Sequence, residues 1–134
     1  SMDEIGEMVL SINENIEKTI KGINQDAEAI KQSTQVCEKA SKGELDVKID
    51  AIASNPEINN LTKIVNNLLS SLNYNINRVL ISLGKYSADE YSSRIDSKGT
   101  STGHIKKLFD EVDYLGVILT KLSGQNLHDG KALQ

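Results

Sequence analysis

Along the first forty residues, apolar or small side chains recur at Ile5, Val9, Ile12, Ile16, Ile20, Ile23, Ala27, Ile30, Thr34 and Cys37. The steps alternate between three and four, which is the period of one face of an α-helix. The run stops at Ser41-Lys42-Gly43, where Gly43 suits a C-terminal cap and Lys42 suits the negative end of the helix dipole. A second run follows Ser54-Asn55-Pro56-Glu57 and occupies Ile58, Leu61, Val65, Leu68, Leu72, Ile76, Val79, Leu83 and Tyr86. Asn55 or Ser54 can cap this helix, Pro56 fits its first turn, and Glu57 complements the positive end of its dipole. A third run takes Ile105, Leu108, Val112, Leu115, Leu119 and Leu122, after which Ser123-Gly124 and a polar stretch to Gln134 weaken the pattern. The pattern predicts three helices and an all-α fold.

The first two runs each contain one doubled four-residue step, Ile12-Ile16-Ile20 and Leu68-Leu72-Ile76. Four extra residues in a heptad locally unwind a supercoil. These two triplets are therefore expected at junctions where one packing unit hands over to the next.

The connectors between the runs match each other. A shift of 46 residues aligns Lys39–Asp50 with Lys85–Asp96, with identities at Lys, Ser, Glu, Ile and Asp and with Arg94 in place of Lys48. One residue later, Pro56-Glu57-Ile58-Asn59-Asn60-Leu61 aligns with Gly103-His104-Ile105-Lys106-Lys107-Leu108. The chain is thus an internal repeat of helix, connector, helix, with the middle helix serving both units. The connectors, Gly43–Asn55 and Asp89–Thr102, hold 13 and 14 residues, longer than an antiparallel hairpin needs. Parallel helices explain the length, because the chain must travel back about 20–25 Å before the next helix starts, at about 3.3 Å per extended residue. Each connector also carries two hydrophobes four apart, Leu45 and Ile49, then Tyr91 and Ile95. Tucked against the helix pair, they would fasten a returning connector. Two narrow apolar faces cannot enclose a core alone, so a parallel homodimer giving four helices per unit is expected.

Composition narrows the chemistry. With 15 Lys+Arg against 19 Asp+Glu the chain carries −4, a balance that argues against nucleic acid. Hydrophobic residues make up 38%, but aromatics only 4%, with no Trp, which disfavours an aromatic-lined ligand pocket. One Cys and two His leave no protein-only zinc site and no disulfide. Cys37 lies on the apolar face and is expected to be a small core residue, and His104 and His128 lack ligand partners at useful spacing. Asp89-Glu90 and Asp110-Glu111 are expected to be solvated helix ends and faces, and Lys106-Lys107 is too small a cluster for a phosphate site. No phosphate loop or nucleophile triad is present. Neither an enzyme nor a cofactor, metal or small-molecule ligand is expected. The longest apolar run, Val79-Leu80-Ile81, is far short of a membrane span, and Ser1-Met2 reads as a cloning remnant ahead of a fragment.

Gly43-x-Leu45-x-x-x-Ile49 followed by Pro56-Glu57-Ile58-x-x-Leu61 resembles the connector and second-helix start of HAMP domains, the relay modules of bacterial chemoreceptors, sensor kinases and cyclases. The family pattern is a Gly ending the first helix, two connector hydrophobes, and a Glu with a hydrophobe opening the second helix. The resemblance places Gly43, Leu45, Ile49, Glu57, Ile58 and Leu61 in those roles, with Glu57 fixing the connector through hydrogen bonds. In the second unit Tyr91, Ile95, Ile105 and Leu108 match, while Asp89 replaces the Gly and His104 the Glu, and the family's Pro near the start of the first helix is missing from both units. The resemblance implies two concatenated parallel four-helix bundles made by a homodimer. Residues 1–24 would be a lead-in helix, 25–74 the first unit, 75–122 a divergent second unit, and 123–134 a tail entering an output helix. It further implies conformational relay, in chemotaxis, between an upstream sensor or membrane segment and a downstream signalling helix of the same chain. The location would be the cytoplasmic portion of an inner-membrane receptor, or a fully soluble receptor. Small residues on or beside the face, such as Ser33, Thr34 and Ser71, would under-fill the core and keep two packings close in energy. The alternatives are a helical ligand-binding bundle with antiparallel helices, a plain structural coiled coil, and the HAMP array of a sensor histidine kinase.

Overall fold

The structure, a computed structural model, describes residues 1–95 and 101–132; the second connector's segment 96–100, including Asp96 of the repeat alignment, lies outside them. The described residues contain three α-helices and no strand: α1 (Met2–Ser41), α2 (Pro56–Ser87) and α3 (Gly103–Ala132). The helix α3 runs on through the polar stretch where the apolar pattern weakens. The chain divides into two compact units, Ser1–Leu72 and Asn73–Gln134, and the division falls inside α2 at the middle residue of Leu68-Leu72-Ile76.

Within the first unit the connector fixes the direction of the helices. The Asn55 N–H donates to the Asp26 carboxylate at 2.9 Å, which sets the start of α2 level with Asp26. Ten residues further along α1 and thirteen along α2, Val36 and Leu69 enclose Ile49 of the connector in one buried cluster. The two helices therefore run the same way. The connector runs against them, with Ile49 beside Asn66, Asp50 and Ala51 beside Gln32, and Ala53 beside Asn59. At 1.5 Å per residue, the stretch of α1 from Asp26 to Lys42 is about 24 Å, a span that the 13 extended residues reach with ease.

Within the second unit the same reasoning applies. Arg78 of α2 lies over the Phe109 ring of α3 at 5.3 Å. Two turns on, the Tyr86 ring stands against Gly116. These helices are parallel as well, and Val79, Tyr86, Ile95, Phe109 and Val112 form the unit's buried cluster.

The buried ridge of α1 differs from the apolar pattern. Ala29 and Val36 are buried and Gly22, Asp26, Ser33 and Ala40 are half-buried, one position away from Ile23, Ala27, Ile30, Thr34 and Cys37. One residue is about 100° around a helix. The ridge that meets the connector and α2 is made of small side chains, which lets three segments of backbone approach closely. The large-residue face is left outward. This corrects the expectation for Cys37, which is exposed, because one neighbouring helix and its connector cover only one flank of α1.

Candidate functional site

Both connectors leave their first helix through the same cap. Glu44 N–H bonds to the Lys39 carbonyl at 3.1 Å and Gly43 N–H to the Ala40 carbonyl at 2.9 Å. In the second unit Glu90 N–H bonds to Lys85 at 2.8 Å and Asp89 N–H to Tyr86 at 3.1 Å. This is the six-to-one and five-to-two pairing of a Schellman cap, which requires a left-handed residue at its fifth position. Gly43 supplies it at φ 93° and Asp89 at φ 66°. Glycine has no Cβ to clash there, and aspartate is among the few side chains that visit this region routinely. The Asp89 carboxylate also accepts the Tyr91 hydroxyl at 2.8 Å. That bond, first, together with desolvation and the nearby negative charge, pushes the Tyr91 phenol above its ordinary value.

Beyond the cap, side-chain amides hold the first connector. Asn66 is bidentate to Ile49: its Oδ1 accepts the Ile49 N–H at 2.8 Å and its Nδ2 donates to the Ile49 carbonyl at 2.9 Å. Asn59 does the same for Ala53, at 2.7 Å in both directions. Gln32 Oε1 accepts from the Asp50 and Ala51 N–H groups at 3.1 and 2.9 Å. These bonds satisfy backbone groups that an extended connector buried against two helices could not otherwise pair. Asn55 caps α2 by accepting the Glu57 N–H at 2.8 Å. The carboxylate of Glu57 forms no hydrogen bond among the described residues, so the anchoring expected of Glu57 falls to Gln32, Asn59, Asn66 and Asp26.

In the second unit the residue equivalent to Asn66 is Asp113, and it accepts the Ile95 N–H at 2.9 Å. Tyr86 donates its hydroxyl to the Ser93 carbonyl at 2.6 Å, and the Ser82 and Ser93 hydroxyls share a 3.3 Å bond. Arg94 Nη1 folds back onto the Tyr91 and Ser93 carbonyls, both at 2.7 Å. Phe109 occupies the place of Thr62, and Arg78 lies between the rings of Tyr74 and Phe109 at 5.2 and 5.3 Å. Ala40 and Leu69 of the first unit become Tyr86 and Gly116, a small–large pair exchanged for a large–small one. A Cβ at Gly116 would lie 2.8 Å from Tyr86 Cζ and would also meet the Tyr86 hydroxyl and Arg94.

The connector hydrophobes take matching places. Ile49 and Ile95 are buried, and Leu45 and Tyr91 are half-buried against the two clusters. Ile58 and Ile105 at the helix starts are half-buried. Leu61 and Leu108 are 59% and 38% exposed, and Leu68 and Leu115 are 56% and 40%. On α1, Ile12, Ile16 and Ile20 are exposed, while Leu72 and Ile76 on α2 are half-buried. The same apolar positions are thus left open in both units, as a stripe set apart from the connectors.

The Lys106–Asp110 ion pair, 2.8 Å long, is exposed on both sides and is worth about 0.3–0.5 kcal/mol as an i,i+4 pair. Among the described residues there is no cluster of three potential metal ligands and no helix long and apolar enough to cross a membrane. An open trough on α1 is lined by Glu17, Ile20, Lys21, Asn24, Gln25 and Glu28. No family model matches the chain, and neither does a curated protein or a solved structure.

Sequence periodicity picks out the connector hydrophobes and puts Tyr86 on an apolar face, but it does not single out Gln32, Asn59, Asn66, Asp113, Phe109 or Gly116, nor the hydroxyl bond of Tyr86. A signal for the amides existed in the abundance of Asn just after Pro56. The small ridge Gly22, Asp26, Ala29, Ser33, Val36 and Ala40 also has the alternating three–four spacing of a packed face.

Proposed function

We propose that the chain is a HAMP-type signal-relay module working as a parallel homodimer, with each unit completed to four helices by the second copy. The observation that carries this reading is the equivalence of the open positions. Leu61 with Leu108 and Leu68 with Leu115 are uncovered in both units, although the residues packed inside the units differ. A stripe needed only for one chain's own core would have been buried. Exposed large hydrophobes in a line mark an interaction surface, and a two-fold mate presents the same stripe in return.

Parallel helices with strapped connectors support a relay over a ligand-binding bundle of antiparallel neighbours. The state would enter along α1, pass through α2 and leave along α3. Each unit would hold two packings a few kcal/mol apart, with the doubled four-residue steps letting neighbouring units differ in phase. The setting we propose is the cytoplasmic region of a bacterial chemoreceptor, where α3 leads into a signalling helix.

The test uses spin labels placed one at a time at Ile30, Leu68, Ile76 and Leu115 in the parent receptor locked on and off. Inter-copy distances at two or more sites should differ between the states. Identical distances at all four would refute the relay. Leu45→Asp should loosen the first connector and bias output with helicity unchanged; wild-type output would count against the connector's role.

A further inference from the structure

Every residue from Ser1 to Lys21 is exposed, although this segment is half of the longest helix. Ile5, Val9, Ile12, Ile16 and Ile20 form one line along it, each 51–58% exposed. Counting 100° per residue, the neighbours that flank this line are Gly6, Met8, Asn13 and Thr19, all uncharged. Asp3, Glu4, Glu7, Glu14, Glu17, Lys18 and Lys21 all project from the opposite side. Isoleucine, valine, asparagine and glycine, weak helix formers, make up eight of the twenty residues from Met2 to Lys21, so the segment gains much of its helical stability only when packed. The apolar line also continues without interruption into Ile23 and Ile30 of the first unit's open stripe.

We infer that Met2–Lys21 zips against the same segment of a second copy as a parallel two-stranded coiled coil. The inference rests on the homodimer reading: two α1 helices aligned by their first units bring these lines onto one another. Isoleucine at both seam positions does not by itself select two strands, so the copy number comes from the units below. Five acids against two bases on the back of the segment speak against an anionic membrane surface as the occupant, since interfacial helices carry cations there. The neutral flanks place no like charges across a parallel seam. A signal entering such a segment arrives as a change in how two touching helices are rotated or offset, rather than as motion of two separate struts.

The test uses the full chain with Cys37→Ala, so that an introduced thiol is the only one. Ile12→Cys and, independently, Val9→Cys lie on the line, and Glu14→Cys lies on its back. Under copper-phenanthroline oxidation the two seam thiols should form a covalent dimer at least about tenfold faster than Glu14→Cys, because disulfide geometry tolerates little separation. A spin label at Leu115 in the same background reports the homodimer independently. Seam thiols no faster than Glu14→Cys, with inter-copy coupling present at Leu115, would overturn the coil and leave the dimer standing. Absence of coupling at Leu115 would overturn both.

Discussion

The two units solve one problem with different side chains. In the first, the connector is held by neutral amides: Asn59, Asn66 and Gln32 together make six hydrogen bonds to its backbone. Its core is small, with Ala40 packed against the cluster of Val36, Ile49 and Leu69. In the second, the described part of the connector is held by one carboxylate acceptor and by the Tyr86 and Ser82 hydroxyls. Its core is built on Tyr86, Phe109 and a glycine. What both units preserve is the left-handed cap, the buried connector isoleucine and the open leucines. The preserved set defines the architecture, and the exchanged set is free to tune how tightly each connector is held and how wide each helix pair stands.

The exchange at the core gives the largest expected effect. Gly116→Leu installs the first unit's residue against Tyr86 and should cost about 3 kcal/mol by overpacking. Adding Tyr86→Ala should return most of it. Urea unfolding at fixed protein concentration measures both; a double variant no more stable than Gly116→Leu would break the equivalence between Ala40–Leu69 and Tyr86–Gly116. The connector bonds come next. Asn66→Ala leaves both polar groups of Ile49 unpaired and should cost about 2 kcal/mol, and Asp113→Ala, which frees only the Ile95 N–H, about 1 kcal/mol. Asp113→Asn keeps an acceptor oxygen and should be nearly neutral, whereas Asn66→Asp loses its donor and faces the Ile49 carbonyl with a charge. Equal losses for the two conservative exchanges would contradict the difference between the clamps.

Smaller still are the caps. Gly43→Ala forces a Cβ into the left-handed region and should cost about 1 kcal/mol. Asp89→Gly relaxes the same backbone but removes the acceptor of the Tyr91 hydroxyl, so the two changes oppose and the net should stay within about 0.5 kcal/mol. The smallest effect is spectroscopic. Tyr91 should titrate above the ordinary tyrosine value of about 10, and Asp89→Ala should bring it back, as read by phenolate absorbance. The sign follows from the folded state favouring the neutral phenol. It is not penalised below the unfolded value, and it loses stability relative to the unfolded chain as pH rises above that value.

The helices were legible in the sequence because three–four spacing, the Gly43 cap and the Pro56 start are local signals. The internal repeat was legible because Leu45/Ile49 and Tyr91/Ile95 keep the same spacing. The face of α1 that packs was not, since Asp26, Ala29 and Ser33 carry little hydrophobic weight. Close approach of three backbone segments selects small residues, and only the folded register shows which small residues meet. The amide clamps were hidden for a related reason. Asn66 is seventeen residues from Ile49, and nothing in its own neighbourhood distinguishes it from a solvated asparagine. Periodicity makes Tyr86 one more seam position, whereas its hydroxyl bond and the close approach of Gly116 make it the pivot of the second core.

The central claim is that the open leucine and isoleucine stripe belongs against a second copy of the chain. Light scattering on the intact protein tests it most directly. The account predicts a mass twice the 14.7 kDa of one chain. A mass of one chain, held across the whole accessible concentration range, would contradict it.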